Sequence, residues 1–352
     1  MKLKKKFERI QISIQRSYLR TTKILFFNLL LLSGLLLLVE AALWHLYPDY
    51  KYYYRTHPGQ PNLEEILAKT DTCWLTPHPK LGWVCQQQQI LEFPTPPTDG
   101  ISYQINEQGF RNAFNFTDSF PPHKKRILLL GDSFMFGIYL PEQQTIASRL
   151  QVEKGEDYLF FNVAIPAWGL DQMYLAYLEY IELINPDQVI LAFVDDDLMR
   201  SLEILFHGCG RKPSLKIQKD QLVANEDNPL LWEYLCWNNQ TGNRLLLGFY
   251  QRQAARLAEF MLVDIIHRES AFGRTPAFVR IPALVDLQNE VPRPVFSMVD
   301  FMKSQEVPYL ELYDSLARLP AREFEAYYIP DDGHFTAEGA GMMAAYILNL
   351  IK

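Results

Sequence analysis

The sequence has little of several features that often define a protein class. Among 352 residues there are 17 Gly, 22 Pro and 4 Cys, and no period repeats, which excludes collagen-like, low-complexity and solenoid proteins. Charged residues make up 21% and aromatic residues 13%, a balance that excludes a disordered chain. The formal net charge is −7, so the basic face needed for nucleic-acid binding is missing and no nucleic-acid partner is expected. The 48% of hydrophobic residues are enough for one large domain or two modest ones.

Positive charge is concentrated at the amino terminus. Residues 1–23 have a net charge of +7, and since the whole chain carries −7 the remainder carries −14. Residues 24–46 follow as an apolar run, which as a helix would span about 34 Å against about 30 Å of bilayer hydrocarbon. We predict a basic cytoplasmic tail over 1–23 and a single-pass transmembrane signal anchor over 24–46. Because basic residues precede the run and none follows at once, the N-terminus lies in the cytoplasm.

Two alternatives to the anchor stay open. A cleaved signal peptide would have a shorter apolar region and a small-residue exit site, and neither fits well. A buried core helix is disfavoured because the run is apolar on all faces, apart from Glu40 near its outer end. With the anchor, the rest of the protein lies outside the cytoplasm, where the local pairs Cys73–Cys85 and Cys209–Cys236 could form disulfides. Four ordinary buried thiols are the other interpretation.

The part after the anchor divides into an irregular stretch and an α/β domain. Residues 49–125, rich in Pro, Gln, Thr and Tyr, are predicted to form an irregular collar packed on the main domain at 126–352. A polar, unpatterned insertion with one cysteine pair occupies 207–240. The predicted strands are Arg126–Leu130, Tyr158–Val163, Gln188–Phe193, Ala277–Ile281 and Tyr309–Tyr313. The predicted helices are Glu142–Val152, Leu170–Ile184, Asp197–Phe206, Asn243–His267, Val295–Ser304 and Thr336–Leu350.

This alternation predicts the fold class. Continuous apolar strands separated by helices are typical of a parallel sheet that is covered on both faces. We expect a doubly wound, flavodoxin-like α/β domain with five strands. In such a domain ligands bind beyond the carboxyl ends of the strands.

Two segments at opposite ends of this domain carry candidate chemistry. The first strand leads directly into Gly131-Asp132-Ser133, where the serine hydroxyl and amide can face a ligand, or where Ser133 simply caps a helix. After the last strand, His334 lies at a loop–helix junction with Asp331 three positions earlier. An acid there can bond the ring Nδ1 and hold the tautomer, and a serine needs such a base because its hydroxyl does not ionise at neutral pH.

Together these segments resemble the SGNH (GDSL) hydrolase family, in its membrane-anchored bacterial type. The serine block reads ILLLGDSFMFG at 127–137, and the terminal block reads DDGHFTAEG at 331–339. A further block with its glycine is similar to NVAIPAWGLDQ at 162–172. The collar phrases LGW (81–83) and NEQGFRN (106–112) look like those that precede the serine block in anchored members. The resemblance covers about residues 75–350.

The resemblance implies an esterase-type site that needs no metal or cofactor. Ser133 would be the nucleophile, His334 the general base and then the general acid, and Asp331 the residue that orients His334. The oxyanion hole would use the backbone N–H groups of Ser133 and Gly169 and an Asn side chain from a third block. One such donor typically lowers the barrier by about 2.7–4 kcal/mol.

The third block departs from the family pattern. It reads FVDDDLM at 193–199, so that Asp196 stands at the Asn position of the oxyanion hole. An ionised carboxylate offers no donor and repels the developing oxyanion, whereas a protonated one could donate if burial raised its pKa. Three interpretations follow: two backbone donors suffice, Asp196 is neutral in the folded site, or the protein is a weakened or inactive member. A Mg²⁺ or Ca²⁺ site at Asp195–Asp197 is disfavoured, because consecutive residues rarely face one site.

Two functions from different classes compete. The first is a membrane-anchored serine hydrolase or acyltransferase acting outside the cytoplasm on acylated envelope glycan or lipid. The second is a non-catalytic member that binds an envelope glycan or a protein partner in the same crevice. For the second, Trp168, Trp232 and Trp237 could stack on sugars, with core packing as the alternative. A third interpretation treats the insertion and the collar as docking surfaces for an envelope protein partner.

Overall fold

The structure is a computed structural model. It describes residues 21–35, 37–38, 75–93, 100–203, 205–206, 210–225, 244–288, 298–330 and 332–351. The strands in chain order are β1 (Leu75–His78), β2 (Gly82–Cys85), β3 (Ile90–Phe93), β4 (Ile101–Gln104), β5 (Lys125–Gly131), β6 (Tyr158–Ala164), β7 (Gln188–Phe193), β8 (Leu205–Phe206), β9 (Gly210–Arg211), β10 (Leu215–Gln218), β11 (Gln221–Ala224), β12 (Ala277–Arg280) and β13 (Tyr309–Glu311).

The helices of the α/β domain follow the same order. They are α1 (Ser133–Phe136), α2 (Ile146–Lys154), α3 (Leu170–Ile184), α4 (Asp195–Arg200), α5 (Arg244–Ala271), α6 (Leu284–Gln288), α7 (Met298–Ser304), α8 (Tyr313–Leu316), α9 (Ala321–Glu325) and α10 (Ala337–Leu348). A 3₁₀ turn at Glu142–Gln144 precedes α2.

A five-stranded parallel sheet forms the centre of the protein, as predicted. Its strand order is β13-β12-β7-β5-β6, and every pairing is parallel. All six residues of β7 are buried, and so are the last five of β5, which explains why these strands are continuous apolar runs rather than alternating ones. Each of the five predicted strands lies within two residues of its observed bounds at both ends.

Helices cover both faces of the sheet. The path from β5 to β6 runs outward, and the path from β6 to β7 runs back past β5, so right-handed crossovers place α2 and α3 on opposite faces. Helix α10 contacts α2, while α3, α4 and α5 contact one another. The doubly wound architecture is therefore confirmed, and the carboxyl ends of β5, β6 and β7 lie at one edge.

The collar is more regular than we expected. Where described, it contains two antiparallel hairpins, β1–β2 and β3–β4, followed by a tight turn around Gly109 (φ +84°). A Cβ on Gly109 would lie 2.8 Å from a Val84 methyl group, so the turn packs directly on β2. Asn112, at the end of the NEQGFRN phrase, pairs with the backbone N–H and C=O of Asn162 at 3.0 and 2.8 Å. These bonds cover the open side of the edge strand β6, which fixes the collar to the domain.

The described part of the insertion is also ordered. Strands β10 and β11 form a hairpin, and the buried Lys212 just before it binds both carboxylate oxygens of Asp171 on α3 at 2.7 Å. The predicted helix Asp197–Phe206 is shorter and begins earlier, as α4, because three acids favour the helix N-terminus and the chain then turns into β8.

The basic tail over 1–23 and the signal anchor over 24–46 stay as predictions. Residues 21–35 and 37–38 are helical with exposed apolar side chains, and the rest of the 24–46 span lies outside the described residues. In the part of the chain that is described, no helix combines the length and apolarity needed to cross a bilayer.

Cys85 is a fully buried free thiol, so the Cys73–Cys85 disulfide is not formed here. Cys73, Cys209 and Cys236 lie outside the described residues.

Candidate active site

The serine block places Ser133 at the carboxyl end of the sheet. Gly131 ends β5, and Ser133 is the first residue of α1, with Asp132 as the N-cap that accepts a hydrogen bond from the Phe134 N–H at 3.0 Å. A Cβ on Gly131 would lie 2.5 Å from the Met135 side chain, so only glycine allows this close strand-to-helix turn. Ser133 is thereby fixed on a rigid element, with only 6% of its surface exposed.

The terminal block brings His334 to the same edge. An isolated bridge between Tyr328 and Phe335 and a hydrogen bond from the Ile329 N–H to the His334 carbonyl at 2.7 Å shape the loop. Gly333, with φ +87°, adopts the left-handed conformation that this turn requires. Thr336 then caps α10 by accepting from the Gly339 N–H.

Ser133 and His334, which are 201 positions apart, are in direct contact. The Ser133 Oγ lies 2.8 Å from His334 Nε2, and His334 Nδ1 lies 2.6 Å from an Asp332 carboxylate oxygen. Because an ionised carboxylate only accepts, Nδ1 carries the ring proton and Nε2 is left to accept from the serine hydroxyl. The arrangement has the contacts that activate a serine nucleophile.

The acid in this arrangement is Asp332, whereas the D-x-x-H spacing had selected Asp331. Asp331 lies outside the described residues. Asp332 also accepts from the His334 backbone N–H at 3.1 Å, which holds its carboxylate against the ring. Burial alone would raise the pKa of Asp332, but hydrogen bonds from His334 and its charge outweigh burial and hold that pKa below its usual range. Asp332 is therefore ionised at neutral pH.

The Gly169 N–H, which the family resemblance assigns to the oxyanion hole, already donates to another group. It donates to the Gln172 side-chain oxygen at 3.2 Å at the start of α3, where Gly169 is the N-cap residue. Two residues earlier, Ala167 has φ +63° and is the one half-buried residue in the otherwise buried stretch 160–170. No hydrogen bond within the described residues uses the Ala167 N–H or the Ser133 N–H. Among the described residues, the N–H groups of Ser133 and Ala167, near the ends of β5 and β6, are thus available as donors.

The three consecutive acids of the third block point to different surroundings. Asp195 forms a bidentate pair with the buried Arg280 at 2.6 and 2.5 Å. Asp197 is fully buried and accepts from the Val194 N–H at 2.9 Å and from Arg200 at 2.5 Å. Asp196 alone is exposed, so the burial that a neutral Asp196 would require is absent. No group of metal-ligating side chains occurs among the described residues, which include all three acids.

A buried charge cluster lies directly behind the serine. Asp132 and Asp197 are at most 1% exposed and share Arg200, whose guanidinium is 3.7 Å from Asp132 and 2.5 Å from Asp197. Burial raises the pKa of Asp132, and burial together with the Asp132 charge raises the pKa of Asp197. One cation therefore serves two buried carboxylates, and it links the serine turn to α4.

Of the two interpretations of the tryptophans, core packing holds for Trp168. Trp168 is fully buried and donates its indole N–H to the Trp83 carbonyl at 3.0 Å, while Trp83 donates to the Pro166 carbonyl at 3.1 Å. Because its side chain is fully buried, Trp168 cannot stack on a sugar. Trp232 and Trp237 lie outside the described residues.

Sequence reasoning did not single out Asp332, Ala167 or Arg200. For Asp332 a signal existed, since two adjacent aspartates precede His334, and either can reach the ring. For Ala167 no signal existed, because a positive φ at alanine is imposed by the surrounding structure. Arg200 could have been suspected, since it is four residues after Asp196 and three after Asp197 on a predicted helix.

Comparison with known proteins gives structural matches. No protein-family model and no curated protein matches the chain. A G-D-S-L family lipolytic protein from Desulfitobacterium hafniense is 11% identical, covering 65% of this chain and 100% of its own, with a TM-score of 0.42. A second G-D-S-L family protein, from Veillonella parvula, is 11% identical over 64% of this chain and 98% of its own, with a TM-score of 0.42. A lipase/acylhydrolase from Enterococcus faecalis is 12% identical over 64% and 94%, with a TM-score of 0.37. Two of these three belong to the family that the sequence motifs resemble.

Proposed function

We propose that the protein is a serine hydrolase of the SGNH type that cleaves an ester through an acyl-enzyme. The observation that carries the proposal is the chain of contacts from Ser133 Oγ to His334 Nε2 at 2.8 Å and from His334 Nδ1 to Asp332 at 2.6 Å. The position of this chain at the carboxyl edge of the parallel sheet supports it, since ligands of such sheets bind there.

In the proposed reaction, Ser133 Oγ attacks the ester carbonyl carbon while His334 Nε2 takes the hydroxyl proton. The Ser133 and Ala167 N–H groups donate to the oxyanion that forms. When the tetrahedral intermediate collapses, the C–O bond to the alcohol breaks and His334 returns the proton to the leaving oxygen. Water, or the hydroxyl of an acceptor, then attacks the acyl-enzyme in the same way and restores the free serine.

The amino-terminal sequence supports a proposal for where the protein acts and on which class of substrate. A 23-residue apolar run after a segment of net charge +7 fits a signal anchor that leaves the catalytic domain outside the cytoplasm. The exposed apolar side chains of the helix at 21–35 are consistent with insertion into lipid. An anchored domain reaches membrane-linked material, which favours acylated envelope glycan or lipid over diffusible esters.

A fluorophosphonate probe tests the proposal on the full-length protein in detergent, because it reacts with activated serines. We expect one covalent adduct in the wild type and none in Ser133→Ala. Ser102→Ala, which removes an exposed collar hydroxyl, is the control and should label like the wild type. Labelling that persists in Ser133→Ala would remove Ser133 from the nucleophile role.

A catalytically weakened binding protein remains the second candidate, and the oxyanion site favours it. Of the three donors the family pattern provides, the Gly169 N–H is engaged by Gln172 and the Asn is replaced by Asp196. Absence of probe labelling and of p-nitrophenyl ester turnover in both the wild type and Asp196→Asn would favour this candidate over the hydrolase.

A further inference from the structure

The collar contains a buried cation that contacts the segment directly after the proposed nucleophile. Arg111, in the NEQGFRN phrase, is only 2% exposed, and its Nε donates to a Glu142 carboxylate oxygen at 2.7 Å. Its two terminal nitrogens donate to three backbone carbonyls, those of Phe136, Gly137 and Leu140, at 3.3, 2.7 and 2.8 Å. A buried charge is stable only with such partners, so Arg111 and the segment 136–142 hold each other in place.

Helix α1 is too short to fix Ser133 without outside contacts. It is a single turn, Ser133–Phe136, and an isolated turn is not stable in water. The last carbonyls of a helix have no partner within the helix. Arg111 supplies a donor for the Phe136 carbonyl and places a positive charge at the helix C-terminus, where a cation is favourable. The turn that carries the nucleophile is therefore held at its start by the Asp132 cap and at its end by Arg111.

The same segment also packs against His334. Tyr139 has φ +63°, which a tyrosine adopts only where the surrounding contacts enforce it. Its backbone N–H donates to the Tyr103 hydroxyl on β4 at 2.9 Å, and the Arg111 guanidinium lies 4.4 Å from the centroid of the Tyr103 ring. The Tyr139 ring in turn lies edge-on to the His334 ring, with centroids 5.5 Å apart and planes at 78°.

We propose that Arg111 is a positioning residue for the reaction, which aligns Ser133 with His334 by fixing the segment 136–140 that contacts both. This inference rests on the proposed function. It makes the collar a part of the active site, because a displacement of a reacting group by about 1 Å can lower a rate about a hundredfold.

Arg111→Lys tests the proposal, because it keeps the charge and removes the planar fork that reaches several carbonyls at once. With a p-nitrophenyl ester and the full-length protein, we expect kcat to fall about 10- to 100-fold with KM unchanged, since these contacts align the reacting groups and do not bind the ester. Labelling by the fluorophosphonate probe should slow by the same factor. Circular dichroism establishes that each variant is folded at the temperature of the assay.

Arg274→Lys is the matched control. Arg274 also donates to a backbone carbonyl, that of Pro186 at 2.9 Å, and pairs with the buried Glu269 at 2.8 Å, but it lies before β12 at the amino end of the sheet. We expect this variant to lose stability, as Arg111→Lys does, and to keep the wild-type kcat. An equal loss of kcat in the two variants would show general destabilisation and would overturn the positioning role.

The outcomes separate this inference from the proposed function. A wild type without turnover or probe labelling overturns the hydrolase itself, and this inference with it. An active wild type with Arg111→Lys equal to it in kcat overturns the positioning role alone, and so does a change that is confined to KM.

Tyr103→Phe covers the case in which Arg111→Lys fails to fold. It keeps the ring against the guanidinium and removes only the hydroxyl that accepts from the Tyr139 N–H. We expect kcat to fall about threefold with KM unchanged. Tyr346→Phe, at a half-buried tyrosine on α10, is the control and should match the wild type. A Tyr103→Phe protein with the wild-type kcat would overturn the proposal.

Discussion

The chain contains two runs of consecutive aspartates near its proposed site, and the structure uses them differently. In the run Asp195–Asp197, two members are paired with arginines, at 2.5–2.6 Å from Arg280 and at 2.5 Å from Arg200. In the run Asp331–Asp332, the described member contacts an imidazole that in turn contacts a serine. The residue types are the same, and the partner decides the role: an arginine neutralises a carboxylate permanently, whereas an imidazole can gain and lose a proton.

Removing Arg200, which pairs with Asp197 of the first run, should have the largest effect on stability. Arg200→Met leaves Asp132 and Asp197, both at most 1% exposed, without their shared cation. We expect the free energy of unfolding to fall by about 3–5 kcal/mol, as for other broken buried ion pairs. Chemical denaturation measures it.

The control for this variant is an exposed ion pair. Lys80→Met breaks the bond to Glu179, where the lysine side chain is 65% exposed, and should cost at most about 1 kcal/mol. An Arg200→Met protein as stable as Lys80→Met would show that the charge cluster behind Ser133 does not hold the turn.

Glu203 sharpens the comparison because it is a buried acid whose pKa stays raised although two cations lie near it. Its Oε1 is buried without a hydrogen-bond partner in the described part of the chain, and burial raises its pKa to about 8 although Lys212 and Arg200 act against this. Since the folded pKa exceeds the unfolded one, this group contributes stability below about pH 4.5 that is lost as the pH rises through 8.

Glu203→Gln should therefore match the wild type at pH 5 and exceed its free energy of unfolding by about 2 kcal/mol at pH 9. Denaturant titrations at both pH values measure this. Glu153→Gln, at an exposed glutamate of α2, is the control and should follow the wild type. A Glu203→Gln curve parallel to the wild type would contradict the raised pKa.

Among the described residues, no arginine lies at hydrogen-bonding distance from Asp196, and of the predicted changes its replacement has the smallest expected effect. Asp196→Asn removes a negative charge from the predicted oxyanion position and supplies an amide donor. We expect kcat for a p-nitrophenyl ester to rise about tenfold. An unchanged or lower kcat would place Asp196 outside the oxyanion site. The control is Asp187→Asn, the same change at the opposite end of the sheet, which should leave kcat unchanged.

Much of this architecture was predictable, and the reasons are local. Strands such as Gln188–Phe193 are recognised because burial on both faces makes them continuously apolar. Ser133 directly follows β5, so its place at the carboxyl edge of the sheet was predictable, and His334 could be placed at the same edge because it precedes the last helix.

The features that sequence reasoning did not single out were long-range or depended on one residue of register. The contact of Asp332 with His334 Nδ1 is made in a loop with a left-handed turn at Gly333, which spacing does not encode. The engagement of the Gly169 N–H depends on the position of the Gln172 side chain. The Tyr139 backbone N–H donates to the hydroxyl of Tyr103, a collar residue 36 positions earlier. Such features arise from tertiary contacts, which hydrophobic periodicity does not report.

The most direct test of the account compares the two adjacent aspartates of the second run. Asp332→Asn should lower kcat about 10³- to 10⁴-fold, because an amide on Nδ1 stabilises the wrong imidazole tautomer. Asp331→Asn should leave kcat within about twofold, since the observed contact to Nδ1 is made by Asp332. A large loss in Asp331→Asn with near-normal activity in Asp332→Asn would contradict the proposed catalytic geometry.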